Sequence, residues 1–231
     1  MKDVIVVMPA YNAKKTLEKT CANLPKIYSE IIVCDDGSVD GTFEQSQKLN
    51  VTTLRHDCNR GYGANQKTLY DYALAKSPSI IIMVHPDNQY TTDCLPEMVA
   101  KIEGGAGLVI GTRMKTALKN RMPWWKYLSN RFLTFLQNRT FRTNLSEFHS
   151  GLRGYDARSL ASLPYRGFSD DFVFDSEVIA NMRGRGYSIE EVPTECYYNK
   201  DVSSINFARS VTYGLQTLKT LLRYKSGYWN K

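Results

Sequence analysis

Asp35, Asp36 and Asp40 fall on one short stretch, with Gly37, Ser38, Gly41 and Thr42 among and after them. Such a stretch gathers carboxylates and hydroxyls on a single turn. There they accept hydrogen bonds from a nucleobase N–H or from ribose hydroxyls, while Gly37 permits a tight bend. Alone, the composition favours an ordinary capped turn. Three further stretches change the balance. Pro9-Ala10-Tyr11-Asn12 sets an aromatic ring where it can stack on a base. Asn59-Arg60-Gly61-Tyr62-Gly63-Ala64-Asn65 reads as a glycine-rich turn entering a helix, which can bring backbone N–H groups close to a phosphate. His85-Pro86-Asp87-Asn88-Gln89 offers an imidazole, a carboxylate and amides. The oxygens of Asp87 and Gln89, joined by those of a diphosphate, suit Mg2+ or Mn2+.

Each stretch closes an apolar run, so strands must position them. Val4–Pro9, Glu30–Cys34, Val51–Leu54, Ser79–Val84 and Gly107–Gly111 read as strands. Helical patterns fall between them, near Lys14–Leu24, Thr42–Leu49, Ala64–Lys76 and Cys94–Ile102. Asp40 or Gly41 is placed to cap the second of these helices. Alternation of this kind predicts an α/β fold with a mainly parallel sheet, and Ser79–Val84, being uninterrupted, belongs at its centre. The polar stretches then share the carboxyl edge of the sheet, where open α/β sheets bind ligands.

The second half is less regular. Met122–Arg142 predicts an amphipathic helix, with Trp125, Leu128, Phe132, Phe135 and Leu136 at helical spacing. Phe148–Tyr155 reads as extended, Val173–Arg185 as helix, Tyr187–Val192 as strand and Ile205–Tyr224 as a second long helix. No repeat or linker divides the chain. The expectation is one domain over 1–231 carrying an amphipathic helix at about 122–142 and a basic helix at about 205–224.

Composition excludes wholesale disorder: 42% of the residues are apolar and 23% charged. No run of about 18 uncharged apolar residues exists, so no membrane span is predicted, and the N-terminus does not read as a signal peptide. The five cysteines, Cys21, Cys34, Cys58, Cys94 and Cys196, lack metal-ligand spacing and read as buried thiols of a reducing cytosol. The net charge of +7 is unevenly spread. Every residue from Lys115 to Ser146 and from Val202 to Lys231 is free of acid, and both segments carry basic, apolar and aromatic side chains. A helix such as that around Trp124-Trp125 suits a membrane interface; core packing is the other reading of its stripe.

Taken in order, the four polar stretches resemble the inverting family-2 glycosyltransferases of GT-A fold, nearest the branch of dolichyl-phosphate mannose synthase and other polyprenyl-phosphate glycosyltransferases. The match is strong over 4–113 and looser to about 195. The resemblance implies a nucleotide-sugar site formed by Pro9, Tyr11, Asn12, Asp35, Asp36, Asp40, Gly61, Gly63 and Asn65. It makes Asp87 the metal ligand, assisted by Gln89. Relatives usually carry Asp-x-Asp at this point; here His85 stands for the first acid, either as a ligand or as a hydrogen-bond partner of a phosphate. Gly111-Thr112-Arg113 and Phe148-His149-Ser150-Gly151-Leu152-Arg153 resemble later segments of the family, which makes Arg113 and Arg153 candidates to neutralise phosphates. His149 stands either near the metal or in the core.

Asp170, Asp171, Asp175 and Glu177 lie where a helix begins. By resemblance, Asp175 or Glu177 serves the acceptor side. A sugar hydroxyl needs one of them as general base, because an alcohol is a poor nucleophile at neutral pH; a lipid phosphate is already ionised and needs none. The expected reaction inverts the anomeric centre, takes its sugar from UDP or GDP, and uses Mg2+ or Mn2+. Its preferred acceptor is a polyprenyl phosphate, met by peripheral contact at the cytoplasmic face of the membrane. A lipid-linked saccharide in surface polysaccharide assembly is the alternative acceptor, and a catalytically silent sugar-nucleotide binder the alternative function. Nucleic acid is not an expected partner.

Overall fold

The strand segments 4–10, 31–34, 80–83 and 108–112 are largely apolar because both faces of the sheet are covered there. In the computed structural model, which describes residues 3–120, 122–197 and 207–228, β1 (Val4–Ala10) sends Ile5 and Val7 to one face and Val4, Val6 and Met8 to the other, all of them buried. A strand sandwiched in this way reads as a continuous apolar run. The elements then follow as α1 (Leu17–Ala22), β2 (Glu30–Asp35), α2 (Thr42–Ser46), β3 (Thr52–Arg55), α3 (Tyr62–Ala75), β4 (Ile80–Met83), α4 (Leu95–Glu103) and β5 (Leu108–Thr112). After these come α5 (Trp124–Phe141), β6 (Arg153–Asp156), α6 (Ala157–Ala161), α7 (Phe174–Gly184), β7 (Ile189–Pro193) and α8 (Phe207–Lys225).

The seven strands form one sheet in the order β3-β2-β1-β4-β6-β5-β7. β6 runs antiparallel to both β4 and β5; every other pairing is parallel. The mainly parallel α/β sheet therefore stands as expected, with one topological difference. β5 does not lie beside β4, because β6 separates them. Leu17 of α1 and Leu95, Met98 and Ile102 of α4 cover one face. Leu69, Tyr70 and Ala73 of α3 and Phe174, Val178 and Ile179 of α7 cover the other.

Several helices begin or end short of their sequence patterns. α1 starts at Leu17 rather than Lys14, and α2 stops at Ser46 rather than Leu49. Gly41 takes the cap position of α2 at φ 90°, while the Asp40 carboxylate accepts Thr42 N–H at 3.0 Å, so the two residues divide the capping task. Within Phe148–Tyr155 only the last residues are strand, and α6 was not foreseen. Ile205, the expected start of the last helix, lies outside the described residues.

The largest departure is in α5. Its buried side is Asn130, Leu133, Thr134, Gln137 and Phe141, a mostly polar set, while Trp124, Leu128, Phe132 and Phe135 are exposed. Of the expected stripe, Leu128, Phe132 and Phe135 face outward, while Trp125 and Leu136 are half-buried, Leu136 against the core. α8 packs against both α5 and α7, and exposes Val211, Leu215 and Leu222. Of the cysteines, Cys34 and Cys196 are buried, Cys21 and Cys94 half-buried and Cys58 exposed; Cys58 thus departs from the expected buried thiol. All five are free.

Candidate active site

The ends of β1, β2 and β4 and the head of α3 meet at one edge, as the parallel register requires. Asn12, at a left-handed φ of 52°, ties two of these ends together: its N–H donates to Ser38 Oγ at 2.8 Å and its Oδ1 accepts Val39 N–H at 3.1 Å. Asn65 does the same from α3, donating to Cys34 O at 2.9 Å. It is buried, so its part is to brace strands rather than to face a ligand. Tyr11, half-exposed beyond Pro9, keeps its ring available.

The two adjacent aspartates turn inward. Asp35 is fully buried, with Oδ1 accepting Ser38 N–H at 3.3 Å and Arg55 3.6 Å from Oδ2. Asp36 Oδ1 accepts His56 Nδ1 at 2.7 Å and Arg60 N–H at 3.0 Å; Oδ2 accepts Gly61 N–H at 3.0 Å. A carboxylate has about four acceptor positions, so Asp36 keeps one, on Oδ2. His56 was missed by sequence reasoning; its only signal was its place at the end of β3. Asp40, half-buried, accepts Lys14 N–H, Thr42 N–H and the Thr42 hydroxyl, and these bonds hold its carboxyl below the usual range despite the opposing effect of burial.

The glycine turn needs correcting. Its amides do not stand ready for a phosphate: Gly61 N–H goes to Asp36, and Gly63 and Ala64 N–H both go to Asp170 O, at 2.7 and 3.3 Å. Gly61 has φ 103°, and a side chain at either glycine would collide with the backbone at Ser169 or Asp170. The glycines are there to let the segment before α7 seat on α3.

Around Asp87, Oδ1 accepts Gln89 N–H at 3.0 Å, and Oδ2 makes no hydrogen bond among the described residues. Burial raises the Asp87 carboxyl and lowers the His85 imidazole, each offset by the charge of the other. Gln89 Oε1 lies 3.9 Å from the Cys196 thiol. Among the described residues no three His, Cys, Asp or Glu side chains form a cation cage. The Asp87 oxygen left without a hydrogen bond is of the kind a divalent ion takes when its remaining ligands come from a diphosphate, the usual manner of binding Mg2+ at phosphate-transferring sites.

Arg113 closes the same edge from the end of β5. Its Nε donates to Glu147 Oε1 at 2.9 Å and one terminal nitrogen to His149 O at 3.0 Å. Glu147 was also missed, although it is the single acid between Glu103 and Asp156. Arg153 departs from its expected part. It is fully buried, donating to Ser150 O, Phe148 O and Asp175 O and pairing with Asp175 Oδ2 at 3.2 Å, so its fork is occupied inside the protein. His149 is half-buried as a residue, with burial of its imidazole among arginines lowering it to about 3, its Nδ1 meeting Tyr213 Oη at 2.7 Å and its Nε2 buried without a partner.

Asp175 and Glu177 are separated by the helix that carries them, since residues two apart point to different sides. Asp175 accepts Tyr62 Oη–H and Gln66 Nε2 at 3.1 Å each, besides pairing with Arg153. Glu177 turns the other way, accepting Ser169 N–H at 2.7 Å with Arg223 at 3.6 Å. It lines a cavity of about 320 Å³ shared with Gln216, Lys219, Thr220 and Arg223.

This architecture has known counterparts. Residues 5–163 match the model of Glycosyl transferase family 2. An uncharacterized protein of Methanocaldococcus jannaschii is 33% identical over 230 residues, covering 96% of this chain and 92% of its own. The UDP-N-acetylglucosamine–dolichyl-phosphate N-acetylglucosaminyltransferase of Methanococcus voltae is 25% identical, covering 98% and 97%. Among solved structures, glucosyl-3-phosphoglycerate synthase from Mycobacterium tuberculosis, in complex with Mn2+, UDP and phosphoglyceric acid, superposes with a TM-score of 0.73 at 17% identity, covering 96% of this chain and 78% of that one. The shared fold is GT-A.

Proposed function

The chain belongs to glycosyl transferase family 2 and is a glycosyltransferase, and from that premise we propose that it moves a sugar, with inversion, from a nucleoside diphosphate to a polyprenyl phosphate at a membrane surface. The observation that carries the acceptor class is the state of the two acceptor-side carboxylates. Asp175 is held by Tyr62, Gln66 and Arg153, and Glu177 faces away into the α7–α8 cavity. Neither stands free over the Asp87 strand end to take a proton from a hydroxyl. A phosphate acceptor asks for no base; it asks for positive charge, and the guanidinium at that edge is Arg113, which such a phosphate would share with Glu147. Relatives named as dolichyl- and polyprenol-phosphate transferases support this choice.

In this reading Tyr11 stacks on the base and the remaining Asp36 Oδ2 position accepts from the nucleoside. Asp87, with Gln89 and His85, holds Mg2+ or Mn2+ against the diphosphate; neighbours of the same fold were crystallised with either ion and UDP. The ion when bound supplies Lewis-acid stabilisation of the departing diphosphate. Arg113 orients the acceptor phosphate so that its oxygen lines up behind the anomeric carbon, a gain in positioning rather than in acid–base chemistry.

Contact with the membrane comes from α5 and α8. No helix among the described residues is long and apolar enough to cross a membrane. Exposed Trp124, Leu128, Phe132 and Phe135 on α5 and Val211, Leu215 and Leu222 on α8 sit among exposed Lys115, Lys119, Arg131, Arg139 and Lys219. Apolar side chains ringed by cations are what a helix lying in an anionic interface presents. In this reading the contact is with the cytoplasmic face of the membrane.

The test is thermal unfolding with UDP or GDP, each with and without Mn2+, on the wild type and Asp87→Ala, followed by transfer to polyprenyl phosphate or to saccharide acceptors. A ligand that binds only the native state raises the midpoint. The expected result is one nucleotide stabilising the wild type only with Mn2+, no stabilisation of Asp87→Ala, and product on the lipid phosphate. Transfer to saccharide hydroxyls alone would reject the acceptor.

A further inference from the structure

The imidazole of His85 is held at Nε2. That atom lies 3.0 Å from the Tyr62 hydroxyl, and a Cβ built at Gly151 would stand 2.6 Å from it. Any side chain at position 151 would therefore displace the ring. Tyr62 is itself fixed, its ring stacked on Phe172 at 5.0 Å between centroids and its hydroxyl 3.1 Å from Asp175 Oδ2.

The direction of the hydrogen bonds follows from the donor inventory. Asp175, paired with Arg153, is an acceptor only. Tyr62 has a single hydroxyl proton, and Asp175 takes it. The Tyr62 oxygen is left to accept, so the 3.0 Å contact carries a hydrogen on His85 Nε2. A neutral imidazole protonated at Nε2 has its lone pair on Nδ1. Among the described residues Nδ1 makes no hydrogen bond, and it is not one of the buried atoms without a partner. It is therefore not sealed in the interior, on a residue two places before Asp87.

We infer that Asp175, Tyr62 and His85 form a relay that fixes the His85 tautomer, leaving Nδ1 as a nitrogen ligand for the divalent ion beside Asp87, with Tyr62 as the positioning residue. The inference rests on the reading of the Asp87 strand end as the metal site. Metal-binding histidines commonly donate their other ring N–H to a fixed partner, which sets the tautomer and raises the basicity of the ligating nitrogen. Here the partner is a tyrosine backed by a carboxylate. It explains how an imidazole takes the place of an acid without losing its aim. It also gives Asp175 a task other than proton abstraction.

The test starts without any ligand. Long-range 1H–15N correlation spectra of the 15N-histidine-labelled full chain report the tautomer of each of its three histidines, His85 being assigned by the signal lost in His85→Gln. The wild type is expected to hold His85 protonated at Nε2. Tyr62→Phe, which keeps the stacked ring, is expected to populate both tautomers while the His56 and His149 signals stay in place as the check on folding. Mn2+ bound with UDP, then with GDP, is then examined by electron spin-echo modulation. An imidazole nitrogen coupled to Mn2+ is expected in the wild type and not in His85→Gln, with Mn2+ affinity in Tyr62→Phe roughly 10-fold weaker. An Nδ1-protonated His85 in the wild type, or a tautomer that Tyr62→Phe leaves unchanged, overturns the relay. Mn2+ and nucleotide bound with no coupled nitrogen overturns the ligand role. No Mn2+ or nucleotide binding by the wild type rejects the metal site itself, a separate result because the tautomer is read in its absence.

Discussion

Glu147 is completely buried, and the guanidinium of Arg113 at the end of β5 is anchored to it, Nε to Oε1 at 2.9 Å. The same carboxylate accepts Arg113 N–H at 3.1 Å and Asn130 Nδ2 at 2.7 Å, which joins the strand end to α5. Arg113 is thus aimed by a residue that has no place in the cleft. Glu147→Gln keeps the shape but removes the charge, and leaves the Arg113 cation without its counter-ion. The expected cost is about 3 kcal/mol of stability, by the usual penalty for breaking a buried pair, together with a fall in kcat/KM. Arg113→Ala should lower transfer further. The double variant should lose less than the sum of the two, because both act through one pair. Denaturant unfolding and steady-state transfer check these together; additive losses would mean that Glu147 does not act through Arg113.

Asp175 and Glu177 supply the sharpest division between acceptor classes. With a phosphate acceptor, Glu177→Gln is expected to leave transfer within about threefold of the wild type, since Glu177 lies in the α7–α8 cavity. Its carboxyl is raised by burial, so the neutral amide should also be tolerated in stability. With a hydroxyl acceptor the same change should remove general-base catalysis, typically about 10²–10⁴-fold. Donor binding, measured by thermal shift with nucleotide and Mn2+, should survive in either case. The ratio of transfer in Glu177→Gln to that in Arg113→Ala therefore distinguishes the two acceptors.

What could be read in the sequence, and what could not, divides by whether partners are local. β1, β2, β4 and β5 were legible because strands covered on both faces must be largely apolar, and β3, a half-buried edge strand, by its place between two helical patterns. β6 was legible only as part of the extended segment 148–155: its bounds and its place between β4 and β5 come from pairing with those strands. The acidic turn was legible as a turn at the carboxyl end of β2 but not in its bonding. The partners of Asp36 come from His56, Arg60 and Gly61 on another loop. Arg153 and Asp175 were visible as charges, while their mutual burial is a tertiary fact. The stripe on α5 was read at the right spacing, but periodicity does not say which side meets the core. Here the polar side does, because Asn130 bonds to Glu147 and Thr134 bonds to Asn130 beneath it.

The outward face of α5 gives a prediction about location. Leu128 and Phe132 are 56% and 58% exposed, so Leu128→Glu with Phe132→Glu should change stability little, as exposed substitutions generally do. Each large apolar side chain immersed in an interface contributes up to about 1.5–3 kcal/mol. Removing two, and adding negative charge, should lower affinity for phosphatidylserine-containing vesicles at least 10-fold. Transfer to a water-soluble short-chain polyprenyl phosphate should be retained. Vesicle co-sedimentation unchanged in the double variant would place the membrane contact elsewhere.

His149 gives the pH dependence of the fold. Its imidazole is lowered to about 3 by burial, with the charges of Arg153 and Arg113 adding to the effect, against about 6.5 for a solvated histidine. The unfolded chain therefore binds a proton at this position between about pH 6.5 and pH 3 that the folded chain refuses. Stability rises with pH wherever the unfolded state binds more protons, so the contribution of this group is whole above about pH 6.5 and declines as pH falls below it. At pH 5 the loss from this group alone is about 1–2 kcal/mol, from the size of one pH unit in free energy. His149→Gln can keep a hydrogen bond to Tyr213 and has no proton to gain. Its unfolding midpoint should consequently fall less than that of the wild type between pH 7 and pH 5, even if it starts lower at pH 7. Parallel curves for the two proteins over that range would mean that the protonated imidazole finds a partner at Nε2 after all.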